Sequence, residues 1–190
     1  TITFCWDQHH GVAFGVDLQE DDKGMPKMRP LAHSRKIREM LKRFFKRRAE
    51  KQLRTIWHNI AYDAYVLVYQ LFMDELLDQK GLLAGLEIML APNSWECTKL
   101  ITYLATNSCA GNNLGLKANS QEFAGNYAVE EIKNIMNIPY KRLLKYNVID
   151  GLCTWYVYNK YYDRMIADEQ LEVYEGLFKA STIDIIQMQL

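Results

Sequence analysis

The chain has 190 residues, 49% hydrophobic and 24% charged, a composition that suits one globular domain with an appendage. Its net charge is zero, so it is neither a wholly basic nucleic-acid coat nor a highly charged disordered chain. The four cysteines form no C-x-x-C pair, which argues against a structural zinc site or a disulfide scaffold, and no apolar run reaches the ~20 residues of a membrane span.

Thr1 to Trp6 is β-branched and aromatic, the composition of a strand, and lacks the basic and apolar regions of a signal peptide. Asp7 to Gly11 reads as a turn and Val12 to Val16 as a second strand. Gln19 to Pro30 is acidic and holds Gly24, Pro26 and Pro30, which predicts a loop. Ser34 can cap a helix running to about Gln52, with Ile37, Leu41, Phe44, Phe45 and Leu53 at helical spacing.

Arg54 to His58 is a short strand, followed by a helix from Ala61 to about Leu77. Gly81 to Asn93 reads as a linker with a short helical piece. Ser94 to Glu96 is a brief strand before a helix from about Thr98 to Ala105. Asn107 to Asn113 is a loop, and Leu116 to Phe123 and Glu130 to Met136 are short helices. Pro139 suits the start of a long helix to about Tyr162, and Asp168 to Leu190 is helical. Strands mixed with helices, then helices alone, predict an α/β layer fold with a small mixed sheet.

Charge is unevenly spread. Arg35 to Arg54 holds ten Lys or Arg and two acids, a local charge of +8. This basic face is either an ordinary solvated surface or an attraction for a nucleic-acid backbone. The aromatic run Trp155, Tyr156, Tyr158, Tyr161 and Tyr162 reads mainly as helix packing, with base stacking as the alternative.

Two acidic motifs stand out. His58-Asn59-Ile60-Ala61-Tyr62-Asp63 places a carboxylate at a strand-to-helix junction, where a helix macrodipole would also favour it. Tyr146 and Asp150 lie four apart on a helix, so phenol and carboxylate point the same way. That spacing is also compatible with an ordinary surface pair. Two carboxylates and a phenol at one place would suit metal-assisted phosphodiester hydrolysis.

Together the motifs resemble those of the DEDDy 3′-5′ exonucleases, in particular the proofreading domain of family A (polymerase I-like) DNA polymerases. That family carries Asn-x-x-Tyr/Phe-Asp at a strand-to-helix junction, matched here by Asn59, Tyr62 and Asp63. It also carries Tyr-x-x-x-Asp, matched by Tyr146 and Asp150 with Thr154 four further on. The motifs are 150 − 63 = 87 residues apart, in keeping with the family. Trp95 to Leu104 resembles the strand and helix between them. The wording around Asn107-Ser108, Leu114 to Lys117 and Tyr146-Asn147 is similar to bacteriophage polymerases.

The resemblance implies an RNase H-like fold, a mixed sheet flanked by helices, over 1–165, with 166–190 opening a polymerase region. It implies two divalent ions, Mg²⁺ or Mn²⁺, and a single-stranded DNA 3′ end as substrate. Asp63 and Asp150 would bind metal and Tyr146 would position the attacking water. Asn59, Tyr62 and His58 would line the DNA cleft; for His58 a buried ring is the alternative. The setting would be the cytoplasm, or the host cytoplasm for a phage protein, with no membrane involved.

One departure is large. The family's first motif, Asp-x-Glu, occurs nowhere in the chain. Its strand would precede Thr1, so the first strand of the fold is expected to be missing and the 190 residues to be catalytically crippled. Two other readings stay open: an RNase D-like exoribonuclease, which shares the motifs, and a non-catalytic exonuclease-like scaffold.

Overall fold

Short β-branched runs separated by strong turn chemistry make the N-terminal region a pair of hairpins. The computed structural model describes residues 1–106, 111–126 and 134–189. The chain divides into two compact units, residues 1–37 with 113–159 and residues 38–112 with 160–190. Two long helices, α1 (Leu31–Glu50) and α6 (Tyr140–Ala167), contribute residues to both.

In the first unit, β1 (Ile2–Cys5) pairs antiparallel with β2 (Gly11–Phe14), and Phe4 and Phe14 stack across the pair. The Asp7 carboxylate holds the turn by accepting from the His9 and His10 N–H groups at 2.7 and 2.8 Å. A second hairpin, β3 (Leu18–Glu20) with β4 (Pro26–Met28), occupies the stretch expected to be a loop. The Asp21 carboxylate accepts from the Lys23 and Met25 N–H groups, and Gly24 takes a φ of 77°. Turn residues were thus read correctly, but the strands they join are too short and polar to register as strands.

Helix α6 packs on both hairpins. The Tyr140 hydroxyl accepts from the Gly15 N–H at 3.0 Å and donates to the Leu18 carbonyl at 3.3 Å. A Cβ on Gly15 would lie 2.0 Å from that carbonyl oxygen, so only glycine fits. Further along α6, a Cβ on Gly151 would stand 2.7 Å from the Cys5 Sγ and 3.0 Å from the Thr3 side chain. The bare glycine is what lets the helix approach β1 this closely. Helix α5 (Leu116–Ala124) also meets α6: Phe123 stacks on Tyr156, whose hydroxyl donates to Glu122.

In the second unit, β5 (Thr55–Trp57) pairs parallel with β6 (Trp95–Cys97). Parallel strands need a crossover, supplied by α2 (Ile60–Phe72) and α3 (Gln79–Met89). The short helical piece expected within Gly81 to Asn93 is a full helix, α3, and α2 ends at Phe72 rather than near Leu77. Asp78 caps α3 by accepting from the Gly81 N–H at 2.8 Å. Gly85 allows close contact with Val68 and Phe72, where a Cβ would already be 2.8 Å from the valine. These glycines serve packing, not flexibility. The core here includes Phe45, Ile60, Ala64, Val68, Met89, Trp95 and Ile101.

Arg48 leaves the basic face of α1 and enters this core, where it is 2% exposed. Its guanidinium donates to the Ser94 carbonyl, to the Ile88 carbonyl at 2.7 Å and to the Met89 carbonyl at 3.1 Å. It therefore neutralises the carbonyl end of α3.

Helix α4 (Thr98–Ala105) follows β6 as expected, and α1 starts at Leu31, leaving Ser34 buried within it. The C-terminal stretch holds α7 (Leu171–Val173), one wide π turn (Tyr174–Phe178) and α8 (Lys179–Gln189). The expected helix from Glu130 falls mostly outside the described residues, as do Asn107, Ser108, Cys109 and Tyr127. The molecule is a mixed α/β protein with small sheets. Among the described residues no helix is long and apolar enough to cross a membrane.

Candidate functional site

Tyr146 and Asp150 sit on one face of α6, as their spacing predicts. A hydrogen bond joins the Tyr146 side chain to the Asp150 carboxyl. From α5, the Lys117 ammonium lies 5.2 Å from the centre of the Tyr146 ring. Burial pushes the Asp150 carboxyl up to about 6, against the opposing pull of Lys117 and of the tyrosine bond. A phenol, a carboxyl and an ammonium thus meet on two packed helices of the first unit. Thr154 has a local role, its hydroxyl donating to the Asp150 carbonyl at 2.9 Å.

The other motif lies in the second unit. Asn59 takes a left-handed conformation, φ 63° and ψ 55°, which turns the end of β5 into α2. Asparagine tolerates this region better than most residues. Its side chain makes no cap; its Oδ1 accepts from the Lys99 ammonium at 3.4 Å. His58 and Thr98 lie 2.8 Å apart, Nδ1 to Oγ1, and the Thr98 hydroxyl donates to the Trp57 carbonyl at 3.2 Å. With that hydroxyl proton committed, the imidazole Nδ1–H is the donor. Burial, with Lys99 adding, lowers His58 to about 4, so the ring is neutral near pH 7. His58 is half-buried, with its Nδ1 turned to Thr98.

Asp63 occupies the first turn of α2 and is half-buried. Burial raises its carboxyl to about 6, opposed only by its own backbone N–H. Tyr62 beside it is 69% exposed. The two motifs thus share a signature: each presents a carboxyl whose charged form burial disfavours. Carboxyl oxygens are hard donors of the kind a magnesium-type cation takes, although Asp150 already faces the Lys117 ammonium. Among the described residues no group of three or more His, Cys, Asp or Glu is arranged to hold a metal ion.

Sequence reasoning missed the ammonium partners. Lys117 and Lys99 follow motif residues by packing and not by spacing, so nothing in the linear pattern marked them. It also missed a buried cluster in the second unit. Glu96, 1% exposed, accepts from the Tyr174 hydroxyl at 2.8 Å and lies 3.3 Å from the Lys179 ammonium and 3.4 Å from Arg54. A glutamate inside the run Trp95-Glu96-Cys97 was a usable signal, because a charge in a buried strand requires a partner.

Comparison with models of protein families, with curated proteins and with solved structures gave no match to this chain.

Proposed function

We propose that the chain is a 3′-5′ exonuclease module of the proofreading kind, acting on the 3′ end of single-stranded DNA. The observation that carries this is the placement of the Tyr146 phenol and the half-buried Asp150 carboxyl on one face of α6, with the Lys117 ammonium 5.2 Å from the phenol ring centre. In this reading the mixed α/β architecture is RNase H-like, and a polymerase domain belongs to the same full-length protein. Asp150 and, in the other unit, Asp63 would be the residues to bind divalent cations, which would supply Lewis-acid charge and a more acidic water. Tyr146 would orient the attacking water, and Lys117, over its ring, would offset negative charge beside it. Asn59 and Tyr62 shape the approach of the strand.

The absence of Asp-x-Glu favours a second reading, in which these residues bind a 3′ end without cleaving it. One assay separates the two. The full-length protein and its Asp150→Ala variant are given a 3′-overhang DNA, and separately an RNA, in Mg²⁺ or Mn²⁺, and mononucleotide release is followed. Release that falls at least about 100-fold in Asp150→Ala supports the nuclease. Equal release from both proteins sinks the assignment of Asp150. No release from the wild-type chain favours the binding scaffold, and preference for RNA moves the substrate to RNA.

A further inference from the structure

Helix α2 buries one side and leaves an unusual stripe on the other. Ile60, Ala64, Val68 and Leu71 are buried, whereas Tyr62, Tyr65, Val66 and Tyr69 are 69, 48, 37 and 38% exposed. At the helical angle per residue, these four fall within about 100° of one another. The outer stripe of a surface helix is ordinarily polar. Here it carries three phenol rings, and Asp63 is the only charged residue on the helix.

Cations border this stripe. Near its start, Lys99 donates to Asn59, the residue that leads into α2. Near its end, the Lys42 ammonium from α1 lies 5.6 Å from the ring centre of Phe72, a helical neighbour of Tyr69. Lys42 shares a stripe of α1 with Arg38 and Lys46, four residues to either side, and residues 40–49 contain no acid. Each of these residues belongs to the second unit.

We infer that this tyrosine face of α2 binds a single-stranded polynucleotide, with Tyr62, Tyr65 and Tyr69 stacking successive bases while Lys42 and Lys99 meet phosphates. Successive rings rise by about 4.5 and about 6 Å along the helix. Both steps exceed the ~3.4 Å of a duplex strand, which suits a strand drawn out and unstacked. Flat rings edged by ammonium groups are what sequence-tolerant binding of single strands requires. An aliphatic partner surface would gain nothing from the cations. The inference takes its ligand class from the nuclease reading, but it concerns the track along which the strand lies and not the chemistry at its end.

The test is fluorescence anisotropy of labelled oligo-dT and oligo-U of about 12 nucleotides, in EDTA so that nothing is cleaved. The proteins are the full chain, Tyr65→Leu/Tyr69→Leu, Tyr65→Phe/Tyr69→Phe and Lys42→Ala. The leucine pair should bind at least about tenfold more weakly and the phenylalanine pair about as well as wild type. Lys42→Ala should lower the slope of log affinity against log salt by about 0.7. Unchanged thermal melting shows that the exposed substitutions leave the fold intact.

Wild-type affinity in the leucine pair overturns the inference, as does a wild-type chain that binds neither oligonucleotide. So does a leucine pair that changes only the oligomeric state, which would make the face a contact between copies. Loss of cleavage in Asp150→Ala beside unchanged binding by the leucine pair leaves the nuclease reading standing and removes the track. The reverse result keeps the track and removes the nuclease.

Discussion

The Lys179 ammonium lies 3.3 Å from the Glu96 carboxylate, with the two side chains 8% and 1% exposed. Glu175 shares the ammonium at 2.9 Å, and the Lys179 ammonium also sits over the rings of Trp95 and Tyr174. The Tyr174 hydroxyl, held protonated by burial and by Glu96, donates to the carboxylate and accepts from the Cys97 N–H at 3.0 Å. The C-terminal helix is thus fastened to β6 by a buried charge pair.

Neutralising Glu96 leaves the buried Lys179 ammonium with Glu175 alone, which is 40% exposed. Glu96→Gln should therefore cost about 1–3 kcal/mol, measured by urea unfolding. Glu96→Met with Lys179→Met should cost far less, because no charge is left behind. A glutamine variant within about 1 kcal/mol of wild type would show that the pair is solvated and not buried.

The two raised carboxyls predict a pH dependence of opposite sign to the usual acid unfolding. Burial pushes the Asp63 and Asp150 carboxyls each up to about 6 in the folded chain, against an ordinary value of 3.8. Below that ordinary value both folded and unfolded forms are protonated and nothing is lost. As pH rises through about 6, the folded chain must ionise a buried group that the unfolded chain ionised earlier, so stability falls. Asp150→Asn should accordingly stabilise the metal-free chain by on the order of 1–3 kcal/mol at pH 8 and hardly at all at pH 4. Mg²⁺ should raise the wild-type Tm at pH 8 and lose much of that effect in the variant. His58, lowered to about 4, acts in the other direction, its contribution being lost as pH falls from its ordinary value of 6.5. Equal wild-type and Asp150→Asn stability at both pH values would exclude the desolvated carboxyl.

Arg48 makes a prediction that surface charge would not. Its guanidinium serves carbonyls of Ile88, Met89 and Ser94 at once. Arg48→Met keeps the volume but strands those acceptors, so a loss of about 3–5 kcal/mol is expected by denaturant titration. Arg48→Lys should recover only part of it, since an ammonium cannot fork across separate carbonyls. Lys46→Met, on the same helix but exposed, should change stability by less than about 0.5 kcal/mol. If Arg48→Met behaves like Lys46→Met, the buried placement is wrong.

What could be read in advance depended on how local its cause was. Helices α4 and α6 and the first hairpin were legible because hydrophobic period and turn residues fix them over a few positions. Helix α3 was legible only as a short helical piece, because Gly81 and Gly85 look like linker residues until Val68 and Phe72 are known to press on them. The face shared by Tyr146 and Asp150 follows from helical spacing alone. Their ammonium neighbour Lys117 follows from the docking of α5, which no local pattern encodes. Arg48 was read as one more cation on a basic face, since burial of a single member of a charged run depends on carbonyls some forty residues away. Gly151 gave no sign of its role, which exists only where α6 meets Cys5.

The wide turn at Tyr174–Phe178 makes the C-terminal segment unequal in its response to changes of length. The Lys179 N–H donates to the Tyr174 carbonyl, so the turn closes over five residues and brings both side chains to Glu96. In a regular α-helix that spacing would set them about 140° apart. Removing Gly176, which has open space around it, would tighten the turn to four residues and leave the two side chains on one face. Adding a residue there would turn Lys179 away from its carboxylate. The segment has one residue of slack in one direction and none in the other, so a shortened loop should still fold where a lengthened one frays.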